Sequence, residues 1–352
     1  MDNSTLSFCK KLPKLELHAH LNGSISDKTL LELSQTLDNK GTNYDNIKQF
    51  IMGCKDRSLE ECFKMFSLIH SMTVSASIIR KVTKDVIEDF AGDGVVYLEL
   101  RSTPRQVEGS MTKNEYMDAI IESIRESKEL YPIIVKLIVS IDRKSGVTEA
   151  EENLELAIQA KEANPDIVLG IDFSGNPAIG EIDDFIPVLQ CAQKSGFSLA
   201  IHCAEVPCEL ETKKILQLNP ERLGHATCIH PDAGGSDELW KTLIESKIPV
   251  ELCLTSNVKT STVKDYRNHH FDHLYKIGHP IVLGTDDKGV FSTSLSDEYC
   301  IAAKTFELDN DQLWQLSYDS INYAFASEYE KEKLQKILKD WKQNITGNSK
   351  ID

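Results

Sequence analysis

The chain has no apolar run on the order of 18 residues, the length a membrane-crossing helix needs, so no transmembrane span is expected. Its N-terminus, MDNSTLSFCKKLPK, has no apolar core of the kind a secretory signal carries. No Cys-x-x-Cys occurs among nine cysteines scattered from Cys9 to Cys300. An odd number of dispersed cysteines without a leader reads as free thiols in a reducing compartment, and the expectation is a cytoplasmic protein. Basic charge is also scarce. The net charge of −16 argues against a broad nucleic-acid-binding surface, because neutralising phosphates takes clustered Lys and Arg. A local pocket for one phosphate is compatible with that charge. No low-complexity linker interrupts the 352 residues. One domain over 1–352 is therefore expected, acting as a monomer without nucleic-acid or membrane partners.

What the chain does have is eight short stretches rich in Val, Ile, Leu and aromatics: KLELHAH, VVYLELRST, IIVKLIVSID, IVLGIDFSG, FSLAIHCAE, RLGHATCI, PVELCLTSN and PIVLGTDD. Amphipathic helical patterns separate them. KNEYMDAIIESIRESKEL is one, and two more, TEAEENLELAIQAKEA and SDELWKTLIESK, open at a Thr or Ser able to cap a helix. Strands alternating with helices pair in parallel through right-handed crossovers, and eight such units predict an α/β fold, a (β/α)8 TIM-type barrel. An open doubly wound sheet is the structural alternative, but no Gly-x-Gly-x-x-Gly follows any strand. A helical insertion over about 24–94 should lie over the barrel mouth as a lid, with apolar positions at Cys62, Phe63, Phe66 and Ile69. A C-terminal helix is expected over about 328–344.

Chemistry in such a barrel belongs at the C-terminal strand ends. There the first strand delivers His18 and His20, two residues apart and so on one face. The fifth ends in His202-Cys-Ala-Glu205, the sixth carries His225, and the eighth ends in Asp286-Asp287. Each alone has an ordinary reading: His-x-His as two polar residues, His225 as a hydrogen-bonded core residue, Asp-Asp as a solvated turn. Gathered on one rim, imidazoles with a carboxylate suit a borderline metal such as zinc, with an open position for water. Gly175, in DFSGNP, could bring backbone close to a ligand. Other histidines read as decoys. In NHHFDH, His269 and His273 are spaced i, i+4 as in zincin helices but lack the intervening glutamate, which predicts a solvated outer helix. His70, His230 and His279 have no neighbouring cluster in the sequence. No Gly-x-Ser-x-Gly elbow or Walker loop is present.

LPKLELHAHLNG, GIDFSGNP, HCAE, GHAT and GTDDKGVF, in that order from about Leu12 to Ala326, resemble the adenosine/AMP deaminase family of zinc barrel enzymes. HLNGSIS, LRSTPR and TSNVKT resemble its adenosine deaminase-like subgroup, the N6-methyl-AMP deaminases. Residue by residue, the resemblance implies one Zn2+ per chain on His18, His20, His202 and Asp286. It implies hydrolytic deamination of N6-methyl-AMP to IMP and methylamine, by attack of activated water at purine C6. Glu205 would give a proton to ring N1, and His225 would orient or deprotonate the water and stabilise its charge. Asp287 would contact the water region and N7, the Gly175 N–H would reach N3, and His20 would also border the substrate.

Adenosine deaminases carry Asp in HLDG beside the nucleoside 5′ end, where this chain has Asn22. An amide there could donate to a 5′-phosphate that a carboxylate would repel. Ser102, Thr103, Pro104 and Arg105, with lid residue His70, are the expected phosphate contacts, and Lys259 could add charge. Arg105 and Lys259 also read as solvated loop residues. Three alternatives stand beside this reading: adenosine deaminase itself, a binuclear metal hydrolase, and a non-catalytic barrel. The second would want a bridging Lys or Glu on a middle strand, where IVLGIDFSG offers only Asp172; the third should have lost a ligand or Glu205, and neither is missing.

Overall fold

The computed structural model describes residues 3–38, 44–53 and 58–348. Its framework is eight strands: β1 (Lys14–His20), β2 (Val95–Ser102), β3 (Ile134–Asp142), β4 (Val168–Ser174), β5 (Ser198–Cys203), β6 (Arg222–His225), β7 (Val250–Leu252) and β8 (Ile281–Leu283). They lie side by side in sequence order and every neighbouring pair is parallel. The seam between β8 and β1 is closed by Asp286 N–H donating to His18 O at 2.8 Å and His20 N–H donating to Asp286 O at 2.9 Å. The fold is thus the expected (β/α)8 barrel. Two histidines of the rim and the aspartate facing them are joined by the closing backbone bonds themselves.

The helices follow local rules. Thr112 and Glu115 form a capping box at the head of Lys113–Ser127, and Ser236 caps Asp237–Ser246. The helix expected to open at Thr148 starts earlier, at Gly146, directly after the short turn Arg143–Ser145. Between β1 and β2 lie the helices Asp27–Asp38, Tyr44–Gly53, Leu59–Met72 and Ala76–Gly92. On the third of these the buried face is Cys62, Met65, Ile69 and Met72, whereas Phe63 is 62% exposed. Cys62 and Ile69 are buried as expected, while Phe63 and Phe66 are replaced by Met65 and Met72, because an i, i+3, i+7, i+10 spacing follows the helical period more closely. Residues 39–43 and 54–57 of the expected insertion, Cys54 among them, lie outside the described residues, as do 1–2 and 349–352. The last element among the described residues is the helix Glu328–Asn348, docked through Leu334 and Leu338, with Trp314 Nε1 donating to Leu338 O at 3.1 Å. Among the described residues no helix is long and apolar enough to cross a membrane.

The last three strands are shorter than the sequence suggests. The expected strand PVELCLTSN gives way at Leu254 to a short helix, Leu254–Lys259. β6 and β8 stop where His225 (φ 60°), Ala226 (φ 54°) and Asp286 (φ 59°) take left-handed backbone conformations that no strand can continue. Such conformations cost on the order of 1–3 kcal/mol each and persist where the surroundings over-determine them. Here they turn side chains back across the barrel mouth.

Candidate active site

Strand alternation puts Glu16, His18 and His20 on one face of β1, pointing into the barrel. The two imidazoles that donate through Nδ1 are fixed by carboxylates from distant strands. His18 Nδ1 donates to Glu251 Oε2 at 2.6 Å, and His202 Nδ1 donates to Asp172 Oδ1 at 2.9 Å. In its neutral form each ring therefore presents a bare Nε2 inward, as metal binding requires, and His18 Nε2 is buried with no hydrogen-bond partner. The inward atoms crowd together: His20 Nε2 to His202 Nε2 is 3.3 Å, His20 Nε2 to Asp286 Oδ1 is 3.3 Å, and His18 Nε2 to Asp286 Oδ1 is 3.4 Å. Ligands bound tetrahedrally at the usual zinc–nitrogen and zinc–oxygen lengths sit roughly 3.3–3.5 Å apart. Facing lone pairs at that spacing repel one another unless a cation lies among them. The residues fit a metal.

The carboxylates that orient the ligands are themselves held by buried arginines. Arg101 reaches Asp172 Oδ1 at 3.1 Å and Glu251 Oε2 at 2.5 Å; Arg222 Nε reaches Glu251 Oε1 at 2.6 Å and its other end pairs with Glu99. Burial alone would push the Glu251 carboxyl up, but Arg101 and Arg222 hold it well below the ordinary carboxylate range. Carboxylate partners of this kind set the tautomer and basicity of metal-binding histidines. Asp286 has its other oxygen, Oδ2, occupied by Ser256 Oγ at 2.7 Å, which leaves Oδ1 for the cluster.

Beside the cluster stand the groups with proton chemistry. His225 Nε2 is 4.0 Å from Glu205 Oε1 and 3.9 Å from Asp286 Oδ2, so the three face one small space. Burial raises the Glu205 carboxyl above its usual range, favouring the acid form. Asp287 is buried and is raised well above the ordinary value by desolvation and then by the charge of Asp286. It packs against Gly23 so closely that a Cβ there would stand 1.6 Å from Asp287 Oδ1, which is why that position in HLNG has no side chain. Gly175 (φ 103°) lines a cleft with Phe173, Pro177, His202 and Glu205.

A second polar corner lies at the end of β2. Asn22 Nδ2 donates to Tyr116 Oη at 3.2 Å, and Tyr116 Oη meets Ser102 Oγ at 2.7 Å. Asn22 Oδ1 and Arg105 Nε are buried without hydrogen-bond partners. Arg105 reaches from the β2 end to the C-terminal end of the helix Leu59–Met72, donating to Thr73 Oγ1 at 2.6 Å, to Thr73 O, and to His70 O at 3.4 Å. His70 is held below its ordinary pKa first by burial, then by Arg105 and Lys144. Thr103 is half-buried and Pro104 buried beside them. Lys259 closes the helix after β7, three strands round the barrel from Arg105.

Two readings of the decoy histidines are corrected. His269 and His270 are not on a solvated helix: both are buried, ahead of the helix Phe271–Lys276, and bond to Asn257 and to the His225 backbone. His230, expected to be isolated, stacks on His273 with ring centroids 4.4 Å apart. The sequence also left Glu251, Arg101, Arg222, Asn257 and Tyr116 without a role. A signal existed for the first three. Charged residues inside otherwise apolar strands, in phase with the inward face, have no place in a packed core unless they serve a site.

A family model for adenosine deaminase matches residues 13–341. The N6-methyl-AMP deaminase of Homo sapiens is 48% identical over 333 residues, covering 94% of this chain and 93% of its own. The apo structure of the N6-methyl-AMP deaminase from Arabidopsis thaliana is similar with a TM-score of 0.88 and 40% identity, covering 95% of this chain and 98% of that one. The arabidopsis ADAL structure complexed with IMP is similar with a TM-score of 0.86, at 40% identity and the same coverage. On a match that runs through every strand of the barrel, this chain belongs to the adenosine deaminase family and is a deaminase.

Proposed function

We propose that this chain is a cytoplasmic, monomeric N6-methyl-AMP deaminase, one catalytic domain over 1–352 with the helices of about 24–94 as its lid, converting N6-methyl-AMP to IMP and methylamine. One zinc ion on His18, His20, His202 and Asp286 would supply Lewis-acid activation of a water, bringing its pKa toward about 7. The chain's own residues do the rest. The Glu205 carboxyl, in its acid form, gives its proton to purine N1 and so draws electrons from C6. His225 steadies the attacking oxygen, Asp287 donates to N7, and the Gly175 N–H meets N3. As the C6–O bond forms and the C6–N bond breaks, methylamine leaves with a proton.

The observation that carries the choice of nucleotide over nucleoside is the donor-rich corner at Asn22. An amide stands where a carboxylate would repel phosphate, Arg105 has a buried N–H without an acceptor, and Ser102 and Tyr116 present hydroxyls beside them. The Asn22 amide can turn to aim its NH2 at a phosphate oxygen while its carbonyl accepts from Tyr116. Those donors offset the phosphate charge in a pocket that also holds Asp286, Asp287 and Glu205. Human and Arabidopsis relatives bearing the N6-methyl-AMP deaminase name support the same substrate.

The test is turnover of N6-methyl-AMP, AMP, N6-methyladenosine and adenosine side by side on one metal-loaded preparation, with the methylated nucleotide expected to lead. Arg105→Ala should raise KM for N6-methyl-AMP by about ten- to a hundredfold, the equivalent of roughly 1.5–3 kcal/mol for a hydrogen bond to a charged group. Residual activity on N6-methyladenosine should barely change. Equal losses on both substrates would make Arg105 a strut for the lid alone, and a wild type that prefers the nucleoside would be an adenosine deaminase.

A further inference from the structure

Behind His225 runs a chain of hydrogen bonds whose direction is set by the backbone. The Phe271 N–H donates to His269 Nδ1 at 3.0 Å. A backbone N–H can only donate, so that ring nitrogen is bare and the His269 proton sits on Nε2. His269 Nε2 meets a side-chain atom of Asn257 at 3.1 Å, which must therefore be the carbonyl oxygen. The Asn257 NH2 then faces His225 Nδ1 at 3.1 Å and donates to it. With Nδ1 accepting, the proton of a neutral His225 ring is on Nε2, the atom that looks toward Glu205 and Asp286. Neighbouring His270 holds the backbone: its Nε2 donates to His225 O at 2.6 Å, fixing the residue in its left-handed conformation. All five residues are buried.

We infer that Asn257 and His269 are positioning residues that hold His225 as an Nε2–H donor toward the reacting centre, and that His225 therefore stabilises the attacking oxygen by donation instead of removing its proton. The inference rests on the deaminase reading above for its kinetic consequence, but not for the tautomer itself. It narrows the roles open to His225, since a ring with a protonated Nε2 has no lone pair there to act as a base. The relay also explains why a helix with an amide at Asn257 follows β7: the Cys253 C=O accepts its backbone N–H, and the side chain is left free to span two rings.

The experiment is kinetic analysis of Asn257→Asp with nitrogen NMR of histidine-labelled, metal-loaded protein. A carboxylate accepts from both rings, so His225 should move its proton to Nδ1 and leave Nε2 bare. The expected result is a fall in kcat of about 10²- to 10⁴-fold, the range for a wrongly protonated catalytic imidazole, with KM and metal content unchanged. The His225 nitrogen signals should exchange character, Nδ1 from unprotonated to protonated. Should Asn257→Asp fail to fold, the pair His269→Phe and His269→Gln serves instead. The first cannot donate to Asn257 and should lose kcat; the second can, and should recover most of that loss. Wild-type His225 with its proton on Nδ1, an unchanged kcat in folded Asn257→Asp, or equal kcat in the two His269 variants would overturn the inference. If the protein turned over no N6-methyl-AMP, the substrate reading would fail while the wild-type nitrogen signals still decided the tautomer.

Discussion

Replacing His202 with alanine is expected to remove the bound metal and the activity together. His202 supplies an Nε2 that lies 3.3 Å from His20 Nε2, and its other nitrogen is committed to Asp172. Deleting the ring opens one corner of the cluster and leaves the buried Asp172 carboxylate with Arg101 as its charged partner. Metal analysis should show about one ion per wild-type chain and little in the variant. Binding to the folded state alone also stabilises it, by about 4 kcal/mol at a metal concentration a thousand times Kd. Thermal unfolding of the wild type should therefore shift upward when metal is restored to stripped protein, and the variant should shift far less. The ion would tie β1 and β5 to the residue that closes the seam after β8, so the stability readout follows from where the ligands sit. Full activity in metal-free wild type would refute the assignment.

Glu205→Gln should keep the metal and lose the reaction. The glutamine preserves shape and a hydrogen-bonding oxygen but has no carboxyl proton to give N1. A loss of about 10²- to 10⁴-fold in kcat is expected, with metal content and substrate KM close to wild type. Because burial raises the Glu205 pKa, the acid form persists to higher pH than in an ordinary glutamate. Turnover that depends on that proton is full below the raised pKa and falls as pH climbs through it. The same limb should vanish from the residual activity of the variant. A near-normal rate in Glu205→Gln would leave the carboxylate a structural part of the cleft.

Much of this molecule was legible in its sequence because β structure writes burial into local alternation. Eight apolar runs separated by helical periods led to the barrel, and the i, i+2 spacing of His18 and His20 placed both on one face. The structure brings His18, His20, His202, His225 and Asp286 together at the mouth, as strand ends in a closed barrel must. The errors arose where the pattern was irregular. The end of PVELCLTSN looked like strand because the run is apolar at its start, but the site needs Ser256 and Asn257 turned inward on a helix. NHHFDH looked like surface because its histidines carry no local partner; their partners, Asn257 and the His225 carbonyl, come from other segments.

The sequence by itself determined which side chains of the strands face the interior, since the strand period is local and survives without knowledge of the partner. It determined the strand ends that carry the ligand-type residues and the neutral amide at Asn22. Only the tertiary structure decided what each of them meets. His18 finds Glu251 across 233 residues of chain, His202 finds Asp172, and one arginine, Arg101, serves both carboxylates. It also decided which ring nitrogen faces the cluster and which a partner, and the inferred role of His225 as a donor rests on that choice. An imidazole has two unlike nitrogens and an amide two unlike ends. The choice between them is made by a hydrogen bond to a neighbour that closure of the barrel supplies, and no periodicity along the chain encodes it.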